Sequence, residues 1–358
     1  MTTTSEKVSQ QLTRQVSKRV SQSVFDGSRL RVVLLVDVYD GAQQQFLEAY
    51  EEMGKQVASV PGHVSDQLCQ SIENPSQWLI TSEWESAPPF LAWVNSEEHV
   101  RMVQPMHSCI RDTRSLRFHV VRETGGEAAG AQRRLQASPR IGDGVIRHAL
   151  TFTVKPGSEK KVAEILANYA SPEARVDDTT RLCRTSLFMH GNRVVRAIEV
   201  RGDLLAALRH VARQPEVRAV EEAINPYLEQ ERDLNDQESA RVFFTRAALP
   251  AVHHVTADDL PEGERHALYY PARPGRGMEL AELLARQDEA AVEDPAGPVL
   301  GSTIFQRDDV VVRLVDVRPG LGVEPALPKS AAQAPLNALL DGEAVGMELI
   351  TDRRSPDA

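Results

Sequence analysis

Aromatic residues make up only 5% of this 358-residue chain, and cysteine is scarcer still, with three copies at Cys69, Cys109 and Cys183. Three distant cysteines cannot staple a small secreted scaffold, and without a CxxC pair or a Cys/His cluster they do not suggest zinc. Long hydrophobic runs are missing too. The longest aliphatic stretch, Val32 to Val36, stops at Asp37, far short of the ~20 residues a membrane-crossing helix needs. Positive charge is in deficit: 41 Lys and Arg stand against 51 Asp and Glu, for a net charge of −10. No basic surplus exists to neutralise phosphates, which argues against a nucleic-acid partner. Met1 to Ser28 is rich in Ser, Thr, Gln and Lys/Arg and has no apolar signal core. It reads as a flexible tail on a cytoplasmic protein with no membrane partner. Also absent are GxGxxG at a strand–helix junction, GxxxxGK(S/T), GxSxG and HExxH. An enzyme of this kind is expected to use neither a nucleotide cofactor nor a metal, only acid–base groups and the electronics of its substrate.

What is present is a chain 41% hydrophobic and 26% charged, enough for real cores and for two or three domains. Two weak stretches divide it. Residues 124–144 are rich in Gly, Ala and charge without an apolar period, and residues 247–264 hold Pro250, Pro261, Gly263 and several acids. Both read as linkers, leaving modules at 29–123, 145–246 and 265–354. The last two are related. Arg147-His148-Ala149-Leu150 returns 118 residues later as Arg265-His266-Ala267-Leu268. Ala163 to Ala167 returns as Ala281 to Ala285 at the same offset, and Val194-Val195-Arg196 as Val311-Val312-Arg313 at an offset of 117, one deletion later. Collinear blocks of this kind mark an internal duplication.

Periodicity predicts the same element order in each module. In the first, strand Leu30–Val38 precedes a helical stripe of Phe46, Tyr50, Met53 and Val57, stopped at Pro61-Gly62. A hairpin follows, from His63–Ile72 to Gln77–Glu85, then a helix from Pro88-Pro89 and a strand at Ser115–Glu123. The second module gives strand Ile146–Val154, a helix to about Tyr169, hairpin Arg181–Val200, a helix from Asp203 and a strand at Arg241–Arg246. The third gives Arg265–Ala272, helix Gly277–Gln287, hairpin Val299–Val317, helix Ser330–Leu340 and strand Ala344–Asp352. The order β-α-β-β-α-β is the ferredoxin-like unit, so the fold class is α+β with three such modules. Each unit leaves one sheet face open and needs a partner sheet. The duplicated pair can satisfy itself, and the first module is expected to pair with its copy in a homodimer, in the manner of a dimeric α/β barrel.

All three tryptophans, Trp78, Trp84 and Trp93, lie within sixteen residues of that first module. Such a cluster serves either core packing or a pocket for a flat aromatic ligand. Trp78 and Trp84 share a strand face but stand roughly 20 Å apart along it, with Trp84 at the strand end. His63, His99, His107 and His119 accompany them, and Arg101 and Arg111 are candidates for holding a phenolate or carbonyl.

The strand Arg31–Val38, Pro61-Gly62-His63, the run Ile80-Thr81-Ser82-Glu83-Trp84-Glu85-Ser86 and Ser96-Glu97-Glu98-His99 together resemble the antibiotic biosynthesis monooxygenase family over about 95 residues. The resemblance implies ferredoxin-like units that dimerise and oxidise anthrone-like phenols to quinones with dioxygen and no cofactor. Trp84 matches the family tryptophan that follows an acidic residue. Where some members carry Asn four residues earlier, Ile80 stands here. The second module resembles tetracenomycin-type polyketide cyclases through Arg184 to Phe188, Ala197-Ile198-Glu199, Ala212 to Pro215, Asn225 to Leu228 and Arg241 to Phe244. The second and third modules together resemble the SchA/CurD-like region of bacterial aromatic polyketide clusters. The cyclase histidines are not matched: His190 falls one position from its hairpin counterpart, Gly191.

These readings assign Trp84 to a cavity wall and His63 or His107 to a base or phenolate anchor. Trp78, Trp93, His99, Arg111, Arg184 and His190 are expected to contact substrate. The substrate is expected to be a small aromatic polyketide, with O2 as co-substrate and a polyketide synthase complex as a possible partner. Two other functions stay open: aldol cyclisation of a poly-β-ketone, and a non-catalytic assembly factor that binds product.

Overall fold

The computed structural model describes residues 18–123, 140–257, 263–322, 324 and 330–355. The chain starts with β1 (Lys18–Ser23) and then builds a small antiparallel sheet from β2 (Leu30–Val38), β3 (His63–Gln70), β4 (Gln77–Trp84) and β5 (Ile110–His119), in the order β3-β4-β2-β5. Its helices are α1 (Gln43–Val57), α2 (Ala87–Val94) and α3 (Glu97–His107). β2 alternates as its sequence dictates, with Leu30, Val32, Val36 and Val38 buried on the helix side and Arg31 and Leu35 outward. Phe46, Met53 and Val57 form the buried stripe of α1. Gly62 ends the turn after it at φ +85°, where a Cβ would also lie 2.7 Å from the Pro89 ring. Glycine alone satisfies both conditions. Two cross-strand rows on the helix side matter later: Trp84–Leu30–His119, and Ser82–Val32–Arg117 beside it.

The remaining strands form a second sheet. They are β6 (Val145–Thr153), β7 (Arg181–His190), β8 (Arg193–Arg201), β9 (Ala248–Ala257), β10 (Glu264–Pro271), β11 (Val299–Arg307), β12 (Val310–Val317) and β13 (Val345–Arg354). Around them lie α4 (Glu159–Ala167), α5 (Leu204–Arg213), α6 (Pro215–Ile224), α7 (Gln237–Ala247), α8 (Gly277–Glu293) and α9 (Ser330–Leu339). The order is β1-β9-β11-β12-β10-β13-β7-β8-β6, and a further β9–β6 pairing closes eight of the strands into a ring. One hydrophobic cluster draws on all eight: Ala149, Phe188, Val195, Ala197, Leu249, Ala251, Ala267, Phe305, Val312, Leu314 and Met347. Only the ring interior is common to every strand, so these side chains fill it. At one end the ring is tied by buried ion pairs. Arg265 grips Asp316 at 2.9 and 2.8 Å and Glu199 at 2.6 Å, while Arg184 grips Asp352 at 2.8 and 2.6 Å.

Three expectations change. Arg241–Arg246, expected as a strand, lies inside α7; its aromatic content packs Phe243 against Phe152 and the Arg232 guanidinium instead of a neighbouring strand. The strand role passes to β9, inside the stretch expected as the 247–264 linker. Pro250 argues against a strand by sequence rules. Here it sits where β9 changes partners, from β6 at Ala248–Pro250 to β1 at His253–Ala257, and its missing N–H costs little. The 1–28 tail is also revised: β1 pairs with β9, and Lys18 binds Glu289 and Glu293 at 2.9 and 3.0 Å. Residues 1–17 and most of the 124–144 linker lie outside the described residues.

The first sheet is docked on the ring. One hydrophobic cluster runs from Leu30, Phe46 and Trp84 of the first sheet to Leu280 and Leu284 of α8, with Val24 and Phe25 packed against it. Arg307 donates to Asn95 O at 3.2 Å and to Thr245 O, Arg241 meets His107 at 2.7 Å, and Arg246 meets Glu97 at 3.1 Å.

Candidate functional site

A cavity of about 370 Å3 opens where the first sheet, the N-terminal segment and the ring meet. Leu30, Ala87, Phe90, Leu91 and Val121 give it an apolar floor; Ser21 to Val24 and Asp26 form one wall, Pro250 and Ala251 another. Arg117, His119 and Arg140 supply its basic groups. The volume falls in the range of small-molecule sites, and the lining has the expected mix of apolar surface and few convergent polar groups. β5 is the edge strand of its sheet, and beside its His119 end β1 and β9 contribute Ser21 to Ser23, Pro250 and Ala251 to the same cavity.

His119 is the best-supported titratable group there. Its Nδ1 lies 2.7 Å from Ser28 Oγ and 3.3 Å from Asp26 Oδ1, and Ser28 Oγ donates to Asp26 Oδ1 at 2.6 Å. A serine hydroxyl has one proton; given to Asp26, it leaves Ser28 to accept from Nδ1–H. That fixes the tautomer and leaves the Nε2 lone pair for a ligand. Burial alone would raise the Asp26 carboxyl, but hydrogen bonds from the Ser28 hydroxyl and amide, with the charges of His119 and Arg140, hold it below the usual aspartate value. Arg140 completes the group at 2.8 Å from Asp26 Oδ2. The arrangement is an oriented imidazole base with a carboxylate behind it.

Trp84 sits one layer behind this cavity. Its ring is fully buried, with Phe90 at 5.3 Å, Trp93 stacked at 5.4 Å and His63 edge-on at 5.2 Å, and its Nε1 donates to Ser82 Oγ at 3.0 Å. Phe90 therefore lines the cavity and Trp84 backs it. His63 is held on the far side of Trp84, with Nε2 3.5 Å from Asp66. His99 stands edge-on to Trp93 at 4.4 Å, and burial lowers its pKa to about 4. The cluster His63–Trp84–Phe90–Trp93–His99 thus brings four of the expected residues together, around the cavity wall instead of in the cavity.

The other expected residues lie elsewhere. His107 ends α3 and is engaged by Arg241, so the docking of the ring takes up its imidazole. Trp78 packs on Phe46 at 5.5 Å, and Arg111 binds Asp37 at 3.2 Å with its guanidinium over Tyr39, both at the opposite end of the sheet. Arg184 is a buried tie of the ring through Asp352 and Asp316. His190 is exposed at the end of β7, with Nδ1 3.1 Å from Gly346 O. Asp26, Ser28, Arg117 and Arg140 were not expected. His119 carried a signal as a histidine on the last strand of the tryptophan-rich module; its partners come from the supposed tail and linker.

Comparison with known proteins places this arrangement. Residues 145–257 match the family model described as SchA/CurD like domain, and residues 29–105 match that of antibiotic biosynthesis monooxygenase. A protein from Streptomyces cyaneus named polyketide synthase CurD is 61% identical over 95% of this chain and 98% of its own length. Protein SchA of Streptomyces halstedii is 61% identical over 95% of this chain and 92% of its own. The chain belongs to the SchA/CurD-like family. The 42.8 kDa protein of the whiE locus of Streptomyces coelicolor is 63% identical over 92% of this chain and 84% of its own. Among solved structures, SnoaB, a cofactor-independent oxygenase from Streptomyces nogalater, is 16% identical, covers 28% of this chain and 99% of its own, and has a TM-score of 0.26. The monooxygenase match holds the tryptophan cluster and Phe90 but ends before Arg117 and His119.

Proposed function

We propose that this SchA/CurD-like protein is a tailoring oxygenase of aromatic polyketide biosynthesis, oxidising an anthrone-like polyphenol to a quinone with O2 and no cofactor. The observation that carries the reading is the His119–Ser28–Asp26 relay in an apolar cavity against the tryptophan cluster. The monooxygenase match over the same sheet and the polyketide name of a 61% identical relative agree with it.

The chemistry needs little from the protein. His119 Nε2 removes a proton from the acidic methylene of the bound anthrone, and the apolar floor keeps the ring system planar and shielded from water. The carbanion passes one electron to O2; the resulting radical and superoxide combine into a peroxide at that carbon. The proton held by His119 returns to the terminal oxygen. Loss of water, with the second hydrogen of the carbon, leaves the carbonyl. One oxygen atom of O2 thus ends in the quinone, and the other leaves as water with both methylene hydrogens. Asp26 stabilises the imidazolium that forms in between.

The ring contributes a wall, not a second catalytic centre, in this reading; its interior is filled by Phe188, Phe305, Leu314 and Met347. The outer face of the first sheet exposes Leu35, Val64 and Phe118 at 44%, 50% and 51%, an apolar surface suited to a second copy, and the reading includes a homodimer formed there. The test is product formation from an anthrone by metal- and flavin-free protein, with and without oxygen. Quinone in air and none under strict anaerobiosis supports oxygenation; no oxidation of the anthrone, together with anaerobic ring closure of a separately offered poly-β-ketone, would identify a cyclase instead.

A further inference from the structure

His63, Trp84 and Trp93 stand behind the cavity lining, and the proposed chemistry gives them no task. Their contacts continue past His63. Between ring centroids, Trp84 is 5.3 Å from Phe90, which lines the cavity, and 5.2 Å from His63 on its other side. His63 Nε2 lies 3.5 Å from Asp66 Oδ1, and Asp66 Oδ2 accepts a hydrogen bond from the Tyr50 hydroxyl. Trp84 is fully buried, whereas the Asp66 side chain is 27% exposed and Tyr50 is half-buried. Contact therefore runs unbroken from the cavity lining to the protein surface. Core packing accounts for the stacked and edge-on rings, but it leaves the phenol–carboxylate pair at the surface end without a role. Indole and phenol side chains give up a single electron more readily than any other side chain without sulfur. Burial and the Asp66 carboxylate push the Tyr50 phenol up, so it keeps its proton until it is oxidised.

We propose that Trp84, Tyr50 and Asp66 form a one-electron relay that carries oxidising equivalents from the cavity to the surface and so protects the site. The role rests on the oxygenase reading, which puts a substrate radical beside Phe90. A substrate radical that captures a second O2 becomes a peroxyl radical. Trp84 gives that radical one electron across the Phe90 ring. The peroxide anion so formed takes the proton held by His119 and leaves as a hydroperoxide, and Trp84 becomes a radical cation. Tyr50 then returns one electron to Trp84 and passes its phenolic proton to Asp66 Oδ2 along the existing hydrogen bond. Trp84 is restored, Tyr50 is a neutral radical and Asp66 a neutral acid. At the surface a small-molecule thiolate supplies the electron, ending as a thiyl radical, and Asp66 gives the proton back to Tyr50. His63 and Asp66 bridge the two rings without being oxidised. Trp93, stacked on Trp84 at 5.4 Å, shares its hole, whereas Trp78 packs on Phe46 at the opposite end of the sheet and takes no part.

The path is tested on the full chain without substrate or oxygen. Azide radicals made by pulse radiolysis oxidise tryptophan selectively, and the conversion of tryptophanyl into tyrosyl absorbance reports transfer within the protein. The wild type is expected to show a transfer phase whose rate does not depend on protein concentration. Tyr50→Phe keeps the ring but loses the hydroxyl and is expected to abolish that phase, while Tyr39→Phe leaves it unchanged. Asp66→Asn, which cannot take up the proton, is expected to slow it. No transfer phase in the wild type, or one that survives Tyr50→Phe, overturns the proposal. In air with an anthrone substrate, Tyr50→Phe should match the wild type in initial oxygen uptake but lose activity after several-fold fewer turnovers; equal lifetimes would overturn the protective role. The two readings fail separately. A protein that takes up no oxygen loses the oxygenase and keeps the electron path, whereas a missing transfer phase removes the path and leaves the oxygenase.

Discussion

At Asp26 three contacts converge, from Ser28, His119 and Arg140, and they fix what the base can do. Asp26→Asn keeps the size but removes the charge that stabilises an imidazolium and weakens the tautomer preference. Oxidation is expected to slow by about 10–100-fold, less than the loss from removing the imidazole, for which general-base precedent is about 10²–10⁴. Steady-state oxygen uptake on the two variants checks the order. Four other histidines set a stability response, His99, His148, His253 and His254, each lowered first of all by burial. Burial lowers His99 and His148 to about 4, against about 6.5 in an unfolded chain. Between those values the unfolded chain takes up protons that the folded one refuses, so stability falls as pH drops from 6.5 towards 4. Below that, Asp316 adds to the loss: burial opposes its ionisation, but Arg265 holds it at about 2, so its stabilisation disappears as pH falls from the unfolded value to 2. Melting temperatures from pH 7 to 5 should decline, and His99→Gln with His148→Asn should flatten the slope. The tryptophan cluster was legible from composition and Trp84 from the family motif. His119's role was not, because its meaning depends on Asp26 and Arg140, 93 residues before it and 21 after it, and no local pattern couples them.

Among the elements, β1 carries the most unexpected weight. It pairs with β9 from Lys18↔Ala257 to Ser23↔His253 and supplies Ser21 to Ser23 to the cavity. Val20→Pro interrupts the ladder at its pairing with Val255 and removes an N–H. Hydrogen exchange should rise along His253–Ala257 while the closed ring stays folded; unchanged exchange there would show that β1 is not what covers β9. Hairpins were the most readable elements. Arg181–Val200 around Gly191-Asn192 and Val299–Val317 around Asp308-Asp309 correspond closely to β7–β8 and β11–β12, because alternation and turn residues are local signals. β1, α7 and β9 were misread for the opposite reason. A polar strand such as KRVSQS is extended only because β9 offers it an edge, and Phe243-Phe244 is helical because Phe152 and Arg232 meet it there.

For the whole molecule, the proposed homodimer through the first sheet rests on the exposed Leu35, Val64 and Phe118. Sedimentation of the full chain should give twice the chain mass, and Phe118→Glu should shift it to monomer without a change in circular dichroism; a wild-type monomer would remove the dimer from the account. The cavity, by contrast, is complete within one chain, since β1, β5, α2, β9 and Arg140 all belong to it. In the proposed function the first sheet and the ring therefore act as one body: the proposed base lies on one, and part of the wall on the other. The measurement closest to this claim is oxygen consumption with an anthrone substrate by metal- and flavin-free full-length protein, wild type against His119→Gln. The account predicts one O2 taken up per quinone formed and a fall of about 10²–10⁴ in the variant, with circular dichroism unchanged. A His119→Gln protein that oxidises at the wild-type rate would contradict it.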